Sequence, residues 1–311
     1  MRVSGFVRMT PLTFDPKLNL ILKWENHQVT GSFKLRGAAN KILSLTEMEQ
    51  KRGLVAASAG NHGQGVALVA RQVGCRSIVF CPSSTPLTKL NAMRALGAEL
   101  HLIDGDYATV EKQAEEYAIM QQMTWISPYN DGQVIAGQGT IGLEILRQMD
   151  PFVAKVCVVP IGGGGMLSGI GAAFENIKNP VKIIGAQSTA SPFFHSLFHH
   201  GNQSGQVELP SLADGLAGAV EENSITIPMV NKYAQDIILV DEEEIGQAIA
   251  FCWYHFGERI EGSAAAALAA VLTGKISERP ALVILSGGNI QPELHQELID
   301  RWPLSSMENF N

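Results

Sequence analysis

Cysteine is scarce in this chain: Cys75, Cys81, Cys157 and Cys252 are the only four among 311 residues, with no CxxC pair and no metal-ligand spacing. That argues against a disulfide framework and for a reducing compartment, taken here as the cytoplasm. Long runs of one charge are also missing. With 23 basic and 30 acidic side chains and a net charge of -7, there is no electrostatic footprint for nucleic acid or anionic lipid. No stretch reaches the ~18 consecutive apolar residues that span a bilayer, and the opening MRVSGFVRMTPLTF lacks the apolar core of a signal peptide, so no membrane partner is expected. Repeats, low-complexity tracts and flexible linkers are absent too. What is present is 46% hydrophobic residues and 31 glycines. At roughly 150 residues per domain, this amounts to two closely packed domains.

Short apolar or β-branched runs recur, each followed by a helix-like segment: 53–58 (GLVAAS), 77–81 (SIVFC), 99–103 (ELHLI) and 123–127 (MTWIS). This is the pattern of βαβ units around a buried parallel sheet. Helices are predicted over 88–96 and 107–120, and one long helical pattern runs from 133 (VIAGQGTIGLEILRQM) into a second series of strands at 155–159, 182–186, 236–240 and 281–285. Two more helices are predicted over 241–256, opening on the acidic DEEE, and 263–272. Residues 188–224 read as loops around one short helix.

Four motifs fall where a strand ends and a loop or helix begins, the place where open α/β sheets bind ligands. Gly162, Gly163, Gly164 and Gly165 follow one predicted strand and precede Met166. Their amides suit a single phosphate, and the spacing departs from the dinucleotide G-x-G-x-x-G, although a turn serving only tight packing has the same spelling. Ser58-Ala59-Gly60-Asn61-His62-Gly63 offers small residues and amide donors for a carboxylate, or else an ordinary helix cap with a surface histidine. In Thr30-Gly31-Ser32-Phe33-Lys34-Leu35-Arg36-Gly37 the lysine stands between an aromatic and an apolar residue, where partial desolvation yields a usable amine; taken alone, such a lysine is a solvated surface charge. Ser286-Gly287-Gly288-Asn289 ends the last strand with a neutral hydroxyl suited to a ring nitrogen, or with a loop of small residues.

Together these motifs resemble the fold-type II pyridoxal phosphate enzymes, in particular the serine/threonine dehydratase and serine racemase group, over nearly the whole chain. The resemblance implies two open twisted α/β domains of the tryptophan synthase β-like type. Residues 1–50 and 133–311 would form the large cofactor-binding domain and 51–132 the small one. It implies pyridoxal 5'-phosphate as cofactor, with Lys34 forming the Schiff base, Phe33 against the pyridine ring, and Asn61 on the ring hydroxyl. Ser58, Ala59, Gly60, Asn61 and His62 would hold the substrate carboxylate. Gly162 to Gly165 and Met166 would hold the phosphate, Gly215 would approach by its backbone, and Ser286 would face the pyridine nitrogen.

The activity so implied is deamination of L-threonine or L-serine to 2-oxobutyrate or pyruvate plus ammonia, the freed Lys34 amine removing the Cα proton. GNHG and GGGG resemble the eliminating members, whereas cysteine-synthase-like members carry GNTG and GTGGT. Ala59 stands where serine racemases carry a second serine, and Gln187 where they carry a carboxylate metal ligand, so no metal is expected. The alternatives are a dehydratase or racemase acting on serine or another β-hydroxy amino acid such as 3-hydroxyaspartate, and a cofactor-binding protein without catalysis. His195, His199 and His200 have helical spacing but no evident carboxylate to complete a metal site. Glu261 reads either as a residue facing the site or as a helix-dipole partner. A homodimer and the absence of an isoleucine-responsive regulatory domain complete the expectation.

Overall fold

The computed structural model of the protein describes residues 2–148, 153–177 and 180–303. Its backbone divides into two compact units, one made of Met1–Arg8 with Phe33–Gln138 and the other of Met9–Ser32 with Gly139–Asn311. The chain opens the second unit with an antiparallel pair, β1 (Leu12–Asp15) and β2 (Leu20–Trp24). It then builds the first unit from α1 (Lys34–Ile42), α2 (Glu47–Arg52), β3 (Leu54–Ala57), α3 (Asn61–Val73), β4 (Ser77–Pro82), α4 (Leu87–Ala95), β5 (Glu99–Ile103), α5 (Tyr107–Met120), β6 (Thr124–Trp125) and α6 (Gly132–Gln138). The second unit resumes with α7 (Thr140–Gln148), β7 (Val156–Pro160), α8 (Gly165–Phe174), β8 (Lys182–Ser188), α9 (Phe193–His200), α10 (Thr226–Tyr233), β9 (Ala234–Val240), α11 (Glu242–Phe256), α12 (Gly262–Leu272), β10 (Ala281–Leu285) and α13 (Pro292–Arg301).

In the first unit four parallel strands lie in the order β5-β4-β3-β6. Every residue of β3 and β4 is buried, as expected of strands covered on both faces. Helix α1 belongs to this unit, whereas the sequence reading grouped residues 1–50 with the other domain. Glycines explain the difference. A Cβ on Gly65 of α3 would meet the Leu35 backbone at 3.2 Å, and one on Gly137 of α6 would lie 2.4 Å from the Arg36 carbonyl, so both helices approach α1 at backbone distance. The Gln138 carboxamide accepts from the Gly37 amide at 3.2 Å and completes the joint. The helix predicted to run unbroken from 133 is two helices, α6 and α7, which part at Gly139, where the chain also changes units.

The second unit carries a six-stranded sheet ordered β1-β2-β10-β7-β8-β9, parallel except for β1. Its core lies between the sheet and α11 and α12, and α12, read from its alanines, is buried from Gly262 to Val271. β2 was not predicted, because Lys23 interrupts its apolar run. Lys23 is nevertheless fully buried. Its ammonium donates to Glu144 at 2.7 Å, to the Gln148 carboxamide at 2.8 Å and to the Thr10 carbonyl at 2.9 Å. The Thr10 amide donates to the same Glu144 carboxylate at 3.2 Å. Three donors' worth of compensation is what makes a buried ammonium tolerable.

Candidate active site

In the first unit Lys34 is the first residue of α1, and no side chain caps that helix end. Its half-buried amine lies 5.4 Å from the centre of the Phe33 ring and donates to the Pro128 carbonyl at 3.1 Å. The segment 58–62 joins the end of β3 to the start of α3. Ser58 is buried, its hydroxyl accepts from the Gly60 amide at 3.0 Å, and the first bond of the helix runs from the Gln64 amide to the Gly60 carbonyl. The amides of Asn61, His62 and Gly63 precede the first intrahelical bond, the position at which a helix N-terminus suits an anion.

His62 is not a surface histidine. It is 4% exposed, and its Nε2 lies 2.8 Å from the Ile126 carbonyl, which fixes the proton on Nε2 and leaves Nδ1 a buried acceptor without a partner among the described residues. Burial, aided by the Lys34 ammonium, pushes its pKa down to about 3. The unfolded histidine takes a proton below about 6.5 while the folded one stays neutral, so the stability is complete above that pH and drains as pH falls toward 3. Between about pH 7.5 and about pH 5.5 this group is expected to remove about 1.4 kcal/mol. Urea unfolding of the wild type and His62→Gln at both pH values checks it: the two stabilities should converge by that amount on acidification, and a constant difference would contradict the burial.

In the second unit the run Gly162 to Gly165 follows β7 and opens α8. Gly164 caps the helix at φ 83°, a conformation that glycine takes without strain, and a Cβ there would meet the Phe194 ring at 2.7 Å. Gly162 is pressed against another segment of the unit, since its Cβ would fall 2.9 Å from the Leu216 Cα. Met166 and Ser168 are buried in the first turns of α8, and the Ser168 hydroxyl has no partner among the described residues. Gly164→Ala is expected to cost about 1–3 kcal/mol in the cofactor-free protein and to weaken cofactor binding as well. Thermal unfolding and a cofactor titration report the two effects separately.

Ser286 follows β10, the neighbour of β7, and is 1% exposed. The β7/β10 register pairs Val283 with Val158, which carries Ser286 opposite Ile161, next to the glycine run. Gly215 lies in a single 3-10 turn, Asp214–Leu216, and its amide donates to the Ser263 hydroxyl of α12 at 3.0 Å. Glu261 is buried at the start of α12 without capping it by its side chain. Its carboxylate is turned toward Gly287, where an added Cβ would meet it at 2.5 Å.

The structure thus gathers Phe33, Lys34 and 58–62 in one unit, and Gly162 to Met166, Gly215 and Ser286 in the other. Two residues of these motifs, Ser32 and Asn289, have a role in holding this second group that the sequence did not assign. The Asn289 carboxamide donates to the Thr30 carbonyl at 2.8 Å, and Ser32 bridges Gly287, so the loop after Ser286 fixes the residues that precede Phe33 in the chain. Only the joint presence of TGS and SGGN could have signalled it. His199 of α9 lies 3.2 Å from Asp236, a carboxylate the sequence reading did not find, yet among the described residues no three ligand side chains converge on one ion. Gln187 accepts from the His195 amide at 2.8 Å. Burial raises the Cys81 thiol to about 12 and the Cys157 and Cys252 thiols well above their ordinary value, so none of these is a nucleophile at neutral pH.

In the second unit the amide cup and the neutral hydroxyl on the adjoining strand suit a phosphorylated pyridine, and the first unit presents a half-buried amine. The chain belongs to the family described as pyridoxal-phosphate dependent enzymes, whose sequence profile matches residues 3–287. It is 40% identical over 310 residues to an L-threonine ammonia-lyase of Thermotoga maritima, covering 96% of this chain and 76% of that one. Among solved structures it is similar to the processed form of threonine deaminase isoform 2 from Solanum lycopersicum, with a TM-score of 0.88 and 31% identity over 97% of this chain and 90% of that one. It also resembles maize serine racemase, with a TM-score of 0.86 and 28% identity over 96% of this chain and 94% of that one. The α/β fold and the pyridoxal phosphate dependence expected from the motifs agree with these relatives. Among the described residues no helix is long and apolar enough to cross a membrane.

Proposed function

We propose that this protein deaminates L-threonine, L-serine or both, releasing 2-oxobutyrate or pyruvate and ammonia. The observation that carries the reading is the 40% identity, over nearly the whole chain, to an L-threonine ammonia-lyase. When bound, the cofactor supplies an electron sink for the pair left at Cα after deprotonation. Gly162 to Met166 would hold its phosphate by their amides with Gly215 beside them, Asn61 would offer a partner to its ring hydroxyl, Phe33 an aromatic face to its ring, and Ser286 an uncharged partner to its ring nitrogen. Within the segment 58–62, whose Ser58 and Gly60 amides are bonded to Phe80 and to the Ser58 hydroxyl, the amides of Asn61 and His62 at the helix start bind the substrate carboxylate, and the Lys34 amine takes the Cα proton. His62, its ring committed to Ile126, contributes by its amide. The β-hydroxyl leaves as water and one water is taken up when the released imine hydrolyses, so 2-oxo acid and ammonia form one to one.

Ala59 supplies no hydroxyl with which to return a proton to the opposite face of Cα, which favours elimination over racemisation. Incubating the cofactor-loaded protein with each amino acid tests the reading. Equal amounts of 2-oxo acid and ammonia, with the residual serine still L, are expected; D-serine without 2-oxo acid would overturn it. We place the protein in the cytoplasm as a twofold homodimer, in keeping with its reduced cysteines and with the base rate for such enzymes.

A further inference from the structure

The acidic opening of α11 does more than complement a helix dipole. Asp241 caps the helix and Glu244 returns to the Asp241 amide, which completes a capping box without Glu242. Glu242 is directed elsewhere. One oxygen of its carboxylate accepts from the Ser188 hydroxyl at 2.6 Å and from the Ser211 hydroxyl at 2.7 Å, and the other accepts from the Leu212 amide at 2.5 Å. The two serine hydroxyls also accept from the Ala190 and Ala213 amides, each at 3.0 Å. A single carboxylate therefore ties the end of β8 to the segment 211–213.

That segment leads directly to the turn Asp214–Leu216, and every further contact along it is close. A Cβ on Gly262 would lie 2.1 Å from the Leu212 carbonyl, the Gly215 amide is bonded to Ser263, and Leu216 presses on Gly162. Leu212, Gly215 and Leu216 are thus each held by a close neighbour, although Asp214 and Gly215 themselves are exposed, so a shift of 211–213 is passed along the turn to Gly162. We infer that Glu242 is a positioning residue for the cofactor: by anchoring 211–213 it sets Gly215 and, through Leu216, the amide cup that begins at Gly162. The inference rests on the phosphate role proposed for that cup.

The test compares cofactor-loaded and cofactor-free wild type with Glu242→Ala, Glu242→Gln, Glu243→Gln and Gly164→Ala, using pyridoxal phosphate as the probe. The readouts are its dissociation constant, its induced circular dichroism, and separately the thermal midpoint of the cofactor-free protein. Glu242→Ala should raise the dissociation constant at least about tenfold, the weight of one charge-assisted hydrogen bond, and reduce the induced dichroism. Glu242→Gln should fall between it and wild type, because the amide oxygen still accepts from Leu212. Glu243→Gln, on an exposed neighbour, should match wild type. Wild-type affinity and dichroism in Glu242→Ala would overturn the inference. Should that variant fail to fold, Ser188→Ala with Ser211→Ala removes two of the three bonds and is read in the same way. Gly164→Ala separates the two levels. If it binds the cofactor as wild type does, the cup reading itself fails and this inference with it; if it binds weakly and Glu242→Ala does not, only the inference fails.

Discussion

Lys34→Ala is expected to lower turnover by at least about a thousandfold, since a positioned general base contributes 10²–10⁴ and the amine proposed for that role is also the proposed covalent anchor. Fold and stability should hardly change. The side chain is half-buried at the first position of α1, where no side-chain cap is lost with it. Lys34→Arg is the informative control. It keeps the positive charge but offers no amine that deprotonates near neutral pH, so it should be as inactive as alanine. Initial rates of 2-oxo acid formation, with far-ultraviolet dichroism to confirm folding, check both variants. Activity in Lys34→Arg close to wild type would mean that the lysine acts only as a charge.

The second large effect concerns stability. Glu144→Ala removes the 2.7 Å ion pair of the buried Lys23 ammonium and, with it, the carboxylate that accepts from the Thr10 amide. Breaking a buried ion pair from one side costs about 3–5 kcal/mol. Urea unfolding followed by tryptophan fluorescence should show this, since Trp24 is buried in the same strand as Lys23. Replacing both partners together, Lys23→Met with Glu144→Leu, should recover much of the loss, because it removes the buried ammonium as well as the bond. A double variant as unstable as the worse single one would show that the pair does something beyond neutralising charge.

These two sites mark what the sequence could and could not disclose. The strand 99–103 and the helix 107–120 are found as predicted, because local periodicity and the N-capping Asp106 decide them. Lys23 hid β2 because the carboxylate that neutralises it lies 121 residues away. Gly65 and Gly137 bring α3 and α6 against α1 and draw it into the unit that the sequence boundaries excluded, and contacts of that kind leave no periodic trace. The glycine run and the lysine could be proposed for the site from sequence because their spellings serve backbone geometry and amine chemistry. The inward turn of His62, the Asn289 bond to Thr30 and the reach of Glu242 to Ser188, Ser211 and Leu212 could not be read there, since each joins residues remote in the chain through a single side chain. Glu242 could not be told from Glu243 and Glu244 until its partners were seen.

The most direct measurement is borohydride reduction of the cofactor-loaded protein, followed by proteolysis and mass spectrometry of the cofactor-bearing peptide. The account predicts a single modified residue, Lys34, with modification proportional to the activity lost. A cofactor fixed to any other lysine, or none fixed at all while the protein is active, would contradict it.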